Sequence, residues 1–155
     1  MARRATQARS TTKTFFDTSV LVAASVRAHP HHAPSVAALS LVTPGAGACA
    51  AHTLAELYAT LTALPLVPRV HPTDALAAVQ HRARSLTPIV LVRNDVLYAI
   101  AQAAARHAVS GQIYDALILA AAERSKADIV YTWNVDHFRR LASPTMASRI
   151  QSPPG

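Results

Sequence analysis

The sequence predicts a single α/β domain built on a short, mainly parallel sheet. Three observations lead there. Strand-like and helix-like stretches alternate along the chain, which is the pattern of crossover units in a parallel sheet. The length of 155 residues suits one domain, and two would each be too small to bury much surface. Apolar residues make up 51% of the chain and aromatic residues only 5%, so a sizeable core has to be assembled mostly from Ala, Val, Leu and Ile.

The elements follow in order. Residues 14–17 (TFFD) read as a first strand and 19–27 (SVLVAASVR) as a helix. Residues 28–34 (AHPHHAP) form a turn, and 35–42 a second helix. Residues 45–50 (GAGACA) are small enough for a strand covered on both faces. Residues 52–64 are helical, Pro65 stops them, and LPLVPRVHP is a proline-broken loop. Residues 73–86 are amphipathic, with Thr73 placed as N-cap. Residues 89–92 (IVLV) make the clearest β-type run, and 94–107 a helix. Ser110 and Gly111 break the chain before an apolar helix over 113–125. Residues 129–132 (IVYT) read as a strand, and 136–141 begin a short final helix. The division is therefore a basic leader over 1–13, one domain over 14–150, and a frayed tail over 151–155.

The formal net charge of +7 favours an anionic partner such as nucleic acid or an acidic protein surface. That charge is uneven. Arg3, Arg4, Arg9 and Lys13 all precede the first acid, and the remainder carries 11 basic against 8 acidic residues. The leader reads equally as a solvated segment or as a phosphate-contacting arm. The longest stretch without formal charge, 28–55, is broken by Pro30, Pro34, Pro44, Gly45 and Gly47. It does not supply the roughly 20 continuous apolar residues of a spanning helix. The basic start is not followed by the apolar run of a signal peptide. One cysteine, Cys49, allows no internal disulfide and fits a reducing compartment. The expectation is a soluble, cytoplasmic protein without a membrane partner.

The scarce acids carry the functional signal. Asp74 and Asp95 sit in first turns of helices, Glu123 on a polar helix face, and Asp128 before a strand, all ordinary surface positions. Asp17, Glu56, Asp115 and Asp136 instead flank apolar sequence, where a charge is costly to bury without compensation. In a parallel sheet, residues just past the carboxyl ends of strands line the binding crevice. Asp17 and the Asn134–Asp136 stretch are placed that way, and Glu56 and Asp115 lie in early helix turns that can face the same end. Each also has a plain reading. Thr53 and Glu56 have capping-box spacing, Asp115 suits a first-turn position, and Asp17 and Asn134 suit N-caps. Capping does not explain why rare acids collect at apolar flanks. Converging carboxylates repel and raise one another's pKa, and a divalent cation removes that penalty. An all-oxygen set suits Mg²⁺ or Mn²⁺ rather than Zn²⁺. Such a centre polarises a phosphate oxygen and activates water for in-line attack on a phosphodiester.

The segments FFDTSVLVAA, TLAELYATL, IYDALILAAAE and IVYTWNVDHF resemble, in that order, the motifs of PIN domains, and most of all those of VapC-type toxins. The resemblance runs from about Thr14 to Leu141. It implies a three-layer α/β/α sandwich and Mg²⁺- or Mn²⁺-dependent cleavage of RNA, commonly tRNA or ribosomal RNA. It also implies homodimers and neutralisation by a VapB-type antitoxin whose C-terminal segment covers the pocket. By this match Asp17 and Asp115 are the principal metal-binding acids and Glu56 the third. Asn134 matches the Asp/Asn after the last core strand, with Asp136 its near neighbour. These five form the expected metal set, and Asp17, Glu56, Asp115 and Asp136 the expected catalytic residues. The final motif departs from the family's Thr-x-Asn/Asp-x-x-Asp-Phe, because His137 stands where the second acid is usual.

For RNA contact the candidates are Arg69, Arg82, Trp133, Arg139 and Arg140. His29, His31 and His32 read as loop residues of a Pro-rich turn. A phospho-receiver domain is disfavoured because Asp17 is followed by Thr18 and Ser19, and neither Lys13 nor Lys126 follows the last core strand. An aspartate-nucleophile phosphatase would need an acid at position 19. The alternative that stays open is a non-catalytic RNA- or protein-binding module of the same fold.

Overall fold

In the computed structural model, which describes residues 11–155, strand and helix alternate from the first element. β1 (Thr14–Phe16) leads into α1 (Thr18–Ser25), α2 (His32–Ser40) and β2 (Gly47–Ala50). Then come α3 (Ala51–Ala63), α4 (Pro72–Ser85), β3 (Thr87–Ile89), α5 (Arg93–Ala105) and α6 (Gln112–Arg124). β4 (Ile129–Tyr131), α7 (Val135–Leu141), α8 (Pro144–Ala147) and β5 (Ile150–Gln151) complete the chain. The strands join one sheet in the order β3-β2-β1-β4-β5, and each pairing is parallel. Arg3, Arg4 and Arg9 of the expected leader lie outside the described residues.

Side chains alternate between the two faces of a strand, and the core shows it. Phe15, Ala50 and Val130 pack with Ile118 and Leu119 of α6 and Phe138 of α7. Phe16 and Cys49 pack on the other face with Val20 and Leu21 of α1, Leu57 of α3 and Ala75 of α4. Both faces of the sheet are therefore covered, which makes the three-layer α/β/α arrangement. Burying a side chain of this size stabilises the fold by about 1.5–3 kcal/mol. Small residues in β2 have a packing reason. A Cβ on Gly47 would stand 2.7 Å from Leu86 Cδ2 and 2.9 Å from Val42 Cγ1.

Three expectations need correction. The third strand is Thr87–Ile89 rather than 89–92. β3 lies at the sheet margin, where Pro88 can sit without costing a central ladder bond, and Val90 and Val92 are exposed. The cap of α4 is His71, whose Nδ1 accepts the Thr73 N–H at 3.2 Å, and Pro72 takes the first turn. The stretch read as a frayed tail begins inside β5. Thr132 N–H donates to Gln151 O at 3.1 Å, and the Arg139 guanidinium donates to Ile150 O at 2.7 Å. Among the described residues no helix is long and apolar enough to cross a membrane.

Candidate active site

The strand order makes β1 and β4 neighbours whose onward connections diverge, to β2 on one side and to β5 on the other. A crevice opens at the carboxyl ends of such a pair. Asp17 follows β1, and Thr132, Trp133 and Asn134 follow β4. α3 starts directly after β2, and α6 feeds β4 from its far end, so the first turns of both helices lie at this same end. Topology alone thus brings Asp17, Glu56 and Asp115 toward one place.

Asp17 is only 3% exposed. Its Oδ2 accepts from Ser19 Oγ at 2.6 Å, Thr132 Oγ1 at 2.8 Å and the Ser19 N–H at 3.3 Å, and the last bond caps α1. Burial pushes the Asp17 carboxyl above its ordinary range, against the opposing pull of the Ser19 and Thr132 hydroxyls. Ser19 Oγ also accepts the Trp133 N–H at 3.0 Å, which ties the two strand ends together.

Glu56 is not part of a capping box. The cap position of α3 is Ala50, so Thr53 and Glu56 are inside the helix. Glu56 Oε2 accepts from Thr18 Oγ1 at 2.5 Å, and fully buried Thr53 lies 3.3 Å from the same hydroxyl. His52 Nε2, 3.9 Å from Glu56 Oε1, is buried without a hydrogen-bond partner.

Asp115 stands in the first turn of α6, and its Oδ2 lies 2.8 Å from His137 Nε2. Its carboxyl is also raised. Burial is the main cause and the negative charge of Asp17 the next, His137 opposes both, and Glu56 raises it further. Asp17 and Glu56 therefore both bear on Asp115 through space, while Asp136 is exposed on α7. Asn134 holds the N-cap position of α7, yet its side chain makes no cap bond and is exposed.

Among the described residues no three His, Cys, Asp or Glu side chains stand grouped tightly enough to hold a metal ion as placed. Each of the three acids is instead turned to a neighbouring hydroxyl or imidazole. The donor chemistry still fits a hard divalent cation. The set is made of carboxylate oxygens, and the repulsion that raises Asp115 is what such a charge would relieve. The Asp17 contacts converge on Oδ2, leaving Oδ1 outside them.

The candidate RNA contacts are scattered. Trp133 adjoins Asp17 through Ser19. Arg140 is exposed on α7, and Arg139 is occupied with β5. Arg69 is exposed between α3 and α4. Arg82 lies at the opposite end of the sheet, beside Gly45 and Leu86, which precede β2 and β3. It is partly buried, its Nε has no partner, and desolvation lowers its pKa.

Sequence reasoning missed three contributors. His31 stacks on Trp133, with ring centroids 3.9 Å apart and planes 11° apart. Fully buried Ser35 accepts the Trp133 indole N–H at 2.9 Å. His52 faces Glu56 at i,i+4 spacing, a signal that was readable in the helix. His31 and Ser35 had no such signal, because their contacts depend on how a Pro-rich turn folds back.

A family model described as PIN domain matches residues 14–144. The chain is 33% identical over 113 residues to "Ribonuclease VapC27" of Mycobacterium tuberculosis (strain ATCC 25618 / H37Rv), covering 73% of this chain and 79% of that relative.

Proposed function

Because the chain belongs to the PIN-domain family, we propose that it is a VapC-type toxin ribonuclease that hydrolyses RNA phosphodiester bonds with a divalent metal held by Asp17, Asp115 and Glu56. The observation that carries this reading is the placement of three carboxylates, just after β1 and near the starts of α3 and α6, at one end of the sheet, where Asp17 and Glu56 both bear on Asp115. Mg²⁺ or Mn²⁺, when bound, would polarise a phosphate oxygen and offset the charge of the attacking group.

This chain's own residues do the rest. Ser19 and Thr132 hold Asp17 in one orientation, and His137 does the same for Asp115. Thr18 holds Glu56, which orients the attacking water and takes its proton. Asn134, which lines the neighbouring cavity, and Asp136 would complete the outer surround of the metal or a weaker second metal position. Trp133, Arg140 and Arg69 contact the RNA, with Arg82 and Arg139 as weaker candidates because of their placement. The further partners are a VapB-type antitoxin that covers the pocket and a second copy of the chain, and the site of action is the cytoplasm. Tyr98, Leu97 and Ile100 of α5, all exposed, support a protein–protein contact on that helix.

The test is cleavage of total tRNA and ribosomal RNA by the purified chain. Cleavage that requires Mg²⁺ or Mn²⁺, stops with a chelator, and falls at least about 10³-fold in Asp17→Asn and Asp115→Asn supports the proposal. RNA that is bound but left intact under every metal condition favours the non-catalytic binding module instead.

A further inference from the structure

A cavity of about 600 Å³ opens beside the acids, lined by Thr18, Ser19, His31, Thr60, Trp133 and Asn134 among others. Its volume suits a small ligand or a single nucleotide unit. It shares residues with the catalytic end, since the Ser19 hydroxyl that contacts Asp17 also receives the Trp133 N–H.

The walls are organised. The Trp133 indole is fixed by its bond to buried Ser35, so its one polar group is already satisfied. His31 lies flat on that indole, and its backbone N–H donates to His29 Nδ1 at 3.1 Å, which steadies the turn. The lining carries no Lys, Arg, Asp or Glu side chain. Such a wall offers little to a phosphate and much to a flat, neutral heteroaromatic ring. The side chain of Asn134, making no cap bond, supplies an amide that can both donate to and accept from a ring edge.

We propose that this cavity is a base-binding subsite. One unpaired RNA base stacks against the His31–Trp133 pair, with its edge toward Asn134. The inference rests on the ribonuclease reading and deepens it. A base held here belongs to a nucleotide next to the scissile phosphate, because the cavity lining and the acids share Thr18 and Ser19. A base inside an A-form duplex presents no free face, so the subsite selects single-stranded loops and ends.

The chain contains one tryptophan, so fluorescence excited selectively at tryptophan reports from the wall of this cavity. The experiment titrates the full-length Asp115→Asn chain with the single-stranded hexaribonucleotides A6, U6 and C6, with an abasic sugar-phosphate hexamer, and with a blunt RNA duplex. Labelled-oligonucleotide anisotropy is followed in parallel. The expected result is saturable quenching of Trp133 by at least one base-bearing hexamer and none by the abasic hexamer or the duplex. His31→Ala should weaken that binding roughly 10-fold, and His31→Phe, which keeps a stacking ring, should restore it. Asn134→Ala should change the order of preference among the three hexamers. Binding by anisotropy without a change in Trp133 emission, or equal binding of the abasic hexamer, would overturn the subsite and leave the ribonuclease reading intact. A wild-type chain that cleaves no RNA in Mg²⁺ or Mn²⁺ removes the reading itself, and the subsite with it.

Discussion

Asp17 Oδ2 takes the hydroxyls of Ser19 and Thr132 and the N–H of Ser19, so the side chain that caps α1 is also the buried acid of the crevice. The capping role and the proposed metal-binding role are compatible at this residue, since Oδ1 stays outside the capping contacts. Asp115 differs, being partly exposed and held by His137. Its raised carboxyl favours the protonated form in the fold. Its contribution to stability is therefore full below the ordinary carboxylate value and lost as pH rises through the raised one. In chelator at neutral pH, Asp115→Asn should melt about 2 °C higher than wild type, and the gap should close in acid. A lower melting temperature for the variant would mean that the His137 contact outweighs the repulsion. Cys49, in the middle of β2 and fully buried, has its thiol pushed up to about 12 by burial. It should react with a thiol reagent only as fast as the protein unfolds. Labelling within seconds under native conditions would contradict the burial. Of the residues at the site, the acids were legible because they are few and sit in apolar sequence. His31 and Ser35 were not, because the fold-back of the turn before α2, which brings both against Trp133, is shaped by tertiary contacts rather than by any period.

At the scale of the elements, α7 and β5 show how one residue can be claimed by two roles. Arg139 was a candidate for RNA, but its guanidinium donates to the Ile150 carbonyl and fastens β5 to the domain. Arg140 on the same helix is exposed. Arg139→Ala should therefore cost about 1 kcal/mol in urea unfolding. Arg140→Ala should leave stability within about 0.5 kcal/mol and instead weaken RNA binding with a shallower salt dependence. The reverse pattern would show that the two were assigned the wrong way round. Helices were the more legible elements, since α1, α3, α5 and α6 lie within two residues of the expected spans. Strands were less so. β3 starts two residues before the apolar run that suggested it, because pairing with Ala48–Ala50 sets its register. β5 is two residues long, too short to carry a periodic signal.

At the scale of the molecule, a parallel sheet of order β3-β2-β1-β4-β5 brings separate motifs to one end of the fold. Glu56 and Asp115 are 59 positions apart in the chain, yet both helices begin at the end of the sheet where Asp17 stands. Alternating strands and helices made the fold class readable, and the faces of Phe15 and Phe16 made the layering physically necessary. The chain's own charge did not locate the RNA surface, since the arginines are distributed over both ends of the sheet. The proposed activity requires the three acids to share one cation. Titration of Mn²⁺ into the full-length chain, followed by the electron paramagnetic resonance of the free ion, tests this most directly. The expected result is saturable binding to wild type that Asp17→Asn and Asp115→Asn each weaken at least about 10-fold, while Arg140→Ala leaves it unchanged. Mn²⁺ that binds equally well to all four proteins, or to none of them, would contradict it.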